Sequence, residues 1–259
     1  MSDPAPPADG WCGLARLTPA RIAQGRSGVS LPTAQALAFQ AAHAAARTAV
    51  HAPLDAAALA ARLGPRFPGV HLARSMAADR ATYLQRPDLG RRLDPATRPP
   101  RAEADVAVAI GDGLSALAVE RNAEGFLDAF LPRAARQGWR LAPLVVATQA
   151  RVALGDEIGA ALGARLVMML IGERPGLSAA DSLGLYLTYD PRPGRLDAER
   201  NCVSNIREGG LGWAEAAYRA DYLVTEALRR GLTGVALKDD TVAEQALPGA
   251  AGAPRPLPL

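Results

Sequence analysis

The segment Gly172-Glu173-Arg174-Pro175-Gly176 carries the side chains of this sequence that are most typical of a binding site. It follows the apolar run "MMLI", and ligands of open α/β sheets bind beyond the carboxyl ends of the strands. The Glu173 carboxylate can accept hydrogen bonds, and the flanking glycines allow close backbone approach to a ligand. An exposed turn in which Glu173 and Arg174 form a solvated ion pair explains the same letters equally well. The spacing alone leaves both interpretations open.

The segment "GDGLSA" at residues 111–116 suggests a second chemistry, dinucleotide binding. Its letters fit G-x-G-x-x-A, whose glycines let the backbone reach a pyrophosphate at a helix N-terminus. That fingerprint also requires an acidic residue about 20 positions later, at the end of the next strand. The next predicted strand ends in "VVATQAR", without an acid. A tight turn with Ser115 near the helix cap is therefore preferred, and a stand-alone NAD(P)-dependent oxidoreductase is kept as the alternative function.

Other catalytic chemistries lack their minimum parts in this sequence. The three histidines, His43, His51 and His71, show no metal-ligand spacing, and neither a G-x-S-x-G elbow nor a P-loop lysine is present. Cys202, in "ERNCVSNI", has polar neighbours and is either a contact residue or a small buried hydrophobe. Because no histidine lies near it in the sequence, a catalytic thiolate is not expected.

The composition describes an ordinary globular protein of 259 residues, 49% hydrophobic and 21% charged. The net charge is only +3, and no basic run alternates with aromatic residues, so a nucleic-acid partner is not expected. Two cysteines make neither a disulfide framework nor a zinc site. The N-terminus lacks the basic and apolar regions of a signal peptide, and no apolar stretch approaches the roughly 18 residues of a membrane span. We expect a cytoplasmic protein.

Residues 17–100 are predicted to form a helical N-terminal domain, preceded by a disordered tail at 1–16. Thr18 as N-cap, Pro19 at the first helical position and Gly25 as a stop predict a first helix. Alanine-rich and capped segments predict three more helices, at 32–50, 55–64 and 76–85. The polar, Pro-rich segment 94–104 is interpreted as a linker.

Residues 101–245 are predicted to form a Rossmann-like α/β domain, followed by a disordered tail at 246–259. Near-continuous apolar runs at 105–113, 141–148 and 165–172 are typical of strands buried on both faces. They alternate with helical segments at 114–138 and 152–163, which predicts a mostly parallel sheet with right-handed crossovers. A further strand is predicted at 183–189 and an amphipathic helix at 213–230.

Five long segments match, in order, those of one known family: 25–55, 83–94, 105–123, 170–195 and 199–218. Two of the most specific are "LIGERPGLSAADSLGLYLTYDPRPGR" and "ERNCVSNIREGGLGWAEAAY". On these segments the chain resembles the light chain of ethanolamine ammonia-lyase over about residues 15–240.

The resemblance implies an adenosylcobalamin-dependent enzyme that converts ethanolamine to acetaldehyde and ammonia. In that family a TIM-barrel heavy chain supplies the substrate pocket and most catalytic residues. The light chain, built from a helical N-terminal part and a Rossmann-like domain, helps to bind the corrinoid at the subunit interface of a large hetero-oligomer. The isolated light chain is therefore expected to be inactive. Enclosure of the expected cytoplasmic protein in a bacterial microcompartment is left open.

The resemblance further implies three cofactor-binding residues: Val152 of the "RV" pair, Glu173 of "GERPG" and Cys202 of "NC". Val152 would supply an apolar contact, Glu173 an acceptor for a corrin amide or nucleotide-loop group, and Cys202 a small soft contact. All three follow predicted strand ends or lie in loops, where a crevice could receive a large planar cofactor. No catalytic residue and no metal ligand is assigned to this chain.

Overall fold

The computed structural model describes residues 11–18 and 20–241. The predicted tail at 246–259, and residues 1–10 of the tail predicted at 1–16, lie outside the described residues. The strands are β1 (Val70–Arg74), β2 (Val106–Gly111), β3 (Leu144–Thr148), β4 (Leu166–Gly172), β5 (Leu183–Tyr189) and β6 (Asn201–Ile206). The α-helices are α1 (Trp11–Leu14), α2 (Thr33–His51), α3 (Ala56–Leu63), α4 (Arg80–Gln85), α5 (Ala116–Gln137), α6 (Leu154–Leu162) and α7 (Trp213–Arg230).

The six strands form one sheet in the order β1-β3-β2-β4-β5-β6. The strands β1, β3, β2 and β4 run parallel to one another, and β5 runs antiparallel to both of its neighbours. The chain leaves β2 toward β3 on one side and then crosses through α6 to β4 on the other side. The predicted α/β class with a mostly parallel sheet is confirmed, and a topological switch point lies between β2 and β4.

The central strands are stable because both of their faces are covered. Every residue of β2 and β4 is buried, as their near-continuous apolar runs predict. On β2, Val106, Val108 and Ile110 face the larger apolar cluster, to which α5 and α7 contribute. Ala107 and Ala109 face a smaller cluster that includes residues of α6. The face lined by this smaller cluster is called the α6 face below.

Helices α5 and α7 lie side by side on the opposite face and confirm the predicted helices at 114–138 and 213–230. Ser115 is the N-cap of α5, and its hydroxyl accepts a hydrogen bond from Ala118 N at 3.2 Å. Gly138 and Gly231 end α5 and α7 in the left-handed conformation that glycine adopts most readily. These caps explain why α5 begins, and why both helices end, close to the predicted bounds.

Three of the four helices predicted before residue 100 are confirmed as α2, α3 and α4. The helix predicted over 18–25 is wrong, since the described residues of that segment contain no helix. Thr18 Oγ1 accepts from Ala20 N, which is a turn contact, and Ala23 has a left-handed φ of 52°. A helix this short is marginal unless it buries an apolar face, and nearly all of this segment is exposed or only partly covered.

Two edge strands, β1 and β6, are absent from the sequence-based prediction. An edge strand is covered less completely, so it lacks the continuous apolar run that identifies β2 or β4. The strand β1 pairs in parallel with β3, which corrects the placement of His71 in a helical region. His71 lies on β1, and its Nε2 is 2.9 Å from Thr97 O. Part of the predicted N-terminal domain thus completes the sheet.

The predicted domain boundary near residue 100 stays a prediction. The Pro-rich segment 94–104 is attached to the sheet domain at both of its ends. Asp94 N donates to Arg74 O on β1 at 3.0 Å, and Ala102 N donates to Leu162 O at the end of α6 at 2.8 Å. This segment therefore follows the surface of the sheet domain.

A buried ion pair ties the beginning of β6 to α6. The side chains of Arg200 and Asp156 are both only 2% exposed, and Arg200 Nη1 donates to Asp156 Oδ1. Arg200 also donates to Thr188 Oγ1 at 3.0 Å and to Arg195 O at 2.8 Å. Asp156 is thus the buried counter-charge of Arg200, while the exposed Asp197 carboxylate lies 3.4 Å from Arg200 Nε.

We expect Asp156→Ala to lower the free energy of unfolding by about 3–5 kcal/mol, because it removes the buried counter-charge of Arg200 and leaves only the exposed Asp197 carboxylate, 3.4 Å from Arg200 Nε. The double variant Asp156→Leu/Arg200→Met should recover most of that loss. The control is Asp88→Ala, at the exposed Arg86–Asp88 pair, which should leave the midpoint unchanged. Urea denaturation followed by circular dichroism measures all three. An Asp156→Ala midpoint equal to that of the wild type would contradict this account.

Candidate functional site

The edge of the sheet at the carboxyl ends of its parallel strands gathers polar groups from distant parts of the chain. The strands β2, β3 and β4 all end there, β5 begins there, and β6 ends beside β5. This edge is where open α/β sheets bind ligands, because helices do not cover the strand ends. The segment predicted as most site-like, "GERPG", leaves β4 at this edge.

The Glu173 carboxylate is held by hydroxyl groups and is not paired with Arg174. Ser204 Oγ donates to Glu173 Oε1 at 2.5 Å, and Ser182 Oγ donates to Glu173 Oε2. Asn205 N donates to the same Oε2 at 3.4 Å, and the backbone N of Glu173 donates to Ser182 O at 2.9 Å. Glu173 is half-buried whereas Arg174 is exposed. Of the two interpretations of "GERPG", the solvated ion pair is the one that these contacts disfavour.

Gly184 on β5 provides the space in which the Glu173 side chain lies. A Cβ at position 184 would be 2.8 Å from Glu173 Oε1 and 3.1 Å from Glu173 Cγ. The first distance is shorter than real Cβ contacts. The same Cβ would be 3.2 Å from the Tyr186 ring. The carboxylate therefore rests directly on the backbone of β5, on the side of the sheet that also carries Tyr186.

A β-bulge in β6 delivers two of the groups that contact Glu173. Val203 pairs with Leu185, but Ile206 pairs with Leu183, so β6 contains one extra residue in this interval. Asn205 adopts a left-handed φ of 61°, which asparagine tolerates better than most residues. Its carbonyl accepts from Leu211 N at 2.8 Å, which braces the bulge from the following turn.

Cys202 lies opposite Tyr186 in the β5–β6 pair and is an exposed free thiol. Although the residue is exposed overall, neighbouring protein atoms exclude part of the water around its thiol. This desolvation raises the pKa of the Cys202 thiol above its ordinary value. The negative charge of Glu173 raises that pKa further, whereas a hydrogen bond from Tyr186 lowers it. Burial likewise raises the pKa of Tyr186. Both groups are neutral at physiological pH, so Cys202 is suited to contact rather than to nucleophilic attack.

Val152 lies in the turn between β3 and α6, half-buried against the smaller apolar cluster. The backbone of this turn is fixed on both sides of Val152. Arg151 N donates to Gly90 O at 2.8 Å, and Gly155 N donates to Val152 O at 3.0 Å. The Arg151 guanidinium lies over the Tyr83 ring at 4.3 Å from its centroid. Val152 is thus a partly exposed apolar side chain on a rigid support.

The "GDGLSA" turn is filled by the protein itself. Leu114 N donates to Gly172 O at 2.9 Å, and Ser115 N donates to Asp112 O at 3.2 Å. Gly113 has a φ of 57°, and a Cβ there would be 2.1 Å from Gly172 O, so the turn packs directly on the end of β4. A pyrophosphate needs free amides at this turn and helix start, and the amides of Leu114, Ser115 and Ala118 are already used. The preferred interpretation, a tight turn with Ser115 as the cap, agrees with these contacts.

Asp112 of that turn is a buried carboxylate with a structural role. Its oxygens accept from Gln149 N and Ala150 N, both at 2.9 Å, and Arg80 Nη1 lies 3.4 Å away. Burial raises the pKa of Asp112, and the backbone donors and Arg80 oppose that rise. The carboxylate holds the end of β3 against the end of β2, which positions the turn that carries Val152.

Within residues 11–18 and 20–241, no helix combines the length and the apolarity needed to cross a membrane. The same residues contain no group of three or more His, Cys, Asp or Glu side chains placed to hold a metal ion.

The family model described as "Ethanolamine ammonia-lyase light chain (EutC)" matches residues 8–238. The chain belongs to the ethanolamine ammonia-lyase light chain family. It is 56% identical over 249 residues to the ethanolamine ammonia-lyase small subunit of Xanthomonas campestris pv. campestris, covering 93% of this chain and 92% of that relative. The small subunit of Azotobacter vinelandii gives the same identity and coverage. The small subunit of Pseudomonas syringae pv. tomato is 54% identical over 248 residues, covering 93% of this chain and 86% of that relative. The family expected from the sequence is confirmed.

For this light chain, the fold brings the three predicted site residues to the α6 face. Val152 and Tyr186 both pack against the smaller cluster that defines this face. Cys202 pairs with Tyr186, and Glu173 lies over Gly184, two residues before Tyr186 on β5. Glu173 and Cys202 are close enough to influence each other electrostatically, whereas Val152 lies farther along the edge, after β3.

Sequence reasoning missed the residues that surround Glu173 in the light chain. Ser182, Ser204 and Asn205 contact the carboxylate, and Tyr186 lies beside it. The serines are 9 and 31 positions away from Glu173 in sequence. A signal for Ser182 was available, since it directly precedes the predicted strand at 183–189. No comparable signal marks Ser204, because the bulge in β6 is not visible in the apolar pattern.

We expect the pH midpoint of Cys202 alkylation by iodoacetamide to lie above the roughly 8.5 of a free thiol, because burial disfavours the thiolate. Glu173→Gln removes a negative charge and should shift the midpoint down, toward the ordinary value. Tyr186→Phe removes a hydrogen bond that favours the thiolate and should shift it up. Peptide mass mapping separates Cys202 from Cys12. A wild-type midpoint at or below that of a free thiol would refute this description.

Proposed function

We propose that this chain is the light subunit of an adenosylcobalamin-dependent ethanolamine ammonia-lyase, the enzyme that converts ethanolamine to acetaldehyde and ammonia. In this proposal Val152, Glu173 and Cys202 contact the corrinoid at the interface with a heavy chain. The observation that carries the proposal is the fixed Glu173 carboxylate, presented on an open sheet face together with Cys202. Family membership supports it, since the relatives are named as small subunits of this enzyme.

The residues present fit a corrinoid in chemical terms. A corrin ring carries primary amide side chains around an extended apolar plane, so it needs hydrogen-bond acceptors and flat apolar contacts. Glu173 offers oxygen acceptors, Val152 a partly exposed apolar surface, and Cys202 a neutral thiol of small volume. The β5–β6 part of the α6 face is open enough for such a ligand, because Cys202 and Ser204 are exposed there.

That openness also supports a partner chain. A large cofactor is usually buried over most of its surface, and an open sheet face covers it on one side only. We therefore infer that a heavy chain, expected to be a TIM barrel, encloses the other side and supplies the substrate pocket. The two chains would form a large hetero-oligomer in the cytoplasm, either free or within a bacterial microcompartment.

The division of labour in this proposal follows from the groups available. Adenosylcobalamin supplies the radical chemistry when it is bound, and the protein contributes binding, orientation and exclusion of water. In this chain Glu173 accepts a hydrogen bond from the corrin periphery, Val152 excludes water beside it, and Cys202 fills the space next to Tyr186. The residues of this chain that touch the cofactor therefore bind and orient it, and ethanolamine is handled by the heavy chain.

We expect Glu173→Ala in the reconstituted two-chain complex to raise the Michaelis constant for adenosylcobalamin by about 10-fold or more. The reason is that the variant loses a hydrogen bond in which one partner is charged. The turnover number at saturating cofactor should change little, because Glu173 is proposed to bind and not to react. Glu208→Ala, at an exposed glutamate in the turn after β6, is the matched control. An unchanged Michaelis constant for Glu173→Ala would argue for a subunit that never touches the cofactor.

We expect the purified light chain alone to release no acetaldehyde from ethanolamine and adenosylcobalamin, because its open face encloses neither cofactor nor substrate. Addition of an ethanolamine ammonia-lyase heavy chain should restore activity, measured by the coupled reduction of acetaldehyde. Turnover by the light chain alone would refute the proposed division of labour. Ethanolamine-independent consumption of NAD(P)H would instead favour the alternative oxidoreductase.

A further inference from the structure

We propose that Ser182 and Ser204 are positioning residues that fix the Glu173 carboxylate for cofactor binding. This inference rests on the proposed function, since it assigns a role to the residues that surround the proposed corrinoid acceptor. Both serines act through Glu173 and not through the ligand. Their role explains why a flexible glutamate at the end of a strand can serve as a precise contact.

The two hydroxyl groups approach Glu173 from different strands and bind different oxygens. Ser204 Oγ, on β6, donates to Oε1 at 2.5 Å, and Ser182 Oγ, directly before β5, donates to Oε2. Asn205 N adds a longer contact to Oε2 at 3.4 Å. Rotation of the carboxylate would break at least one of these bonds, so the group is held in one orientation.

The backbone supports the same arrangement. Glu173 N donates to Ser182 O at 2.9 Å, which sets the distance between the main chain of β4 and the first hydroxyl. The bulge in β6 places Ser204 at the second oxygen, and the absence of a side chain at Gly184 leaves room for the carboxylate between them. The end of β4, the start of β5 and the bulge in β6 thus converge on one side chain.

The contacts also define what the carboxylate can still bind. An ionised carboxylate has about four acceptor positions, and Ser182, Ser204 and Asn205 N use three of them. The remaining capacity suits a single N–H donor, such as one amide of a corrin side chain. A guanidinium or another group that needs a bidentate partner fits poorly. Because the orientation is set before binding, little conformational entropy is lost when the ligand arrives.

The test measures the affinity of the reconstituted two-chain complex for hydroxocobalamin by equilibrium dialysis, which does not depend on turnover. Ser204 is exposed, so Ser204→Ala is expected to fold and assemble normally. We expect it to weaken binding about fivefold to tenfold, the effect of one lost hydrogen bond. Ser204→Thr, which keeps the hydroxyl, should restore most of the affinity. Ser178→Ala, at an exposed serine of the loop between β4 and β5, is the control.

A double-mutant cycle separates positioning from a general structural effect. If Ser204 acts through Glu173, then Ser204→Ala should have no further effect in a Glu173→Ala background, and Ser182→Ala should behave in the same way. Equal weakening by Ser204→Ala in both backgrounds would overturn the inference. If Glu173→Ala weakens binding while neither serine variant does, the proposed function stands and only the inference fails. If Glu173→Ala itself has no effect, the proposed function fails and the inference fails with it.

Discussion

The close contact between the ends of β2 and β4 is the constraint on which the rest of the site depends. A Cβ at Gly113 would be 2.1 Å from Gly172 O, and a Cβ at Gly172 would be 2.0 Å from Ser115 O, so neither position has space for a side chain. Leu114 N also donates to Gly172 O at 2.9 Å. This contact joins the start of α5 to the end of β4 at the switch point of the sheet. It also fixes where Glu173 leaves β4, because Glu173 is the next residue. The position of the proposed acceptor is therefore determined by the core of the fold.

The secondary-structure elements that could be predicted best from the sequence are those that are buried on both faces. The strands β2 and β4 were recognised because such strands must be apolar along their whole length. The strands β1 and β6 were missed because they lie at the edges and are partly exposed. The helix at 18–25 was predicted from capping letters and is wrong, since caps stabilise a helix only where packing also supports it.

The site was predicted less completely than the fold, for a different physical reason. The location of Glu173 followed from a strand end, and Val152 and Cys202 followed only from the resemblance to a family. The partners of Glu173 could not be predicted, because the pairing register of β5 with β6 decides which hydroxyl groups reach it. Register depends on contacts between strands, and an apolar pattern within one strand does not report it.

The bulge in β6 has a consequence for how this family can vary. The extra residue lets Val203 and Ile206, three positions apart, both face the core, while Ser204 remains on the outer surface. Loss of one residue between them would turn Ile206 toward solvent or bring a polar side chain into the interior. The number of residues between Val203 and Ile206 is therefore constrained by the core, independently of the contacts that Ser204 and Asn205 make. Relatives should reject insertions and deletions in this interval.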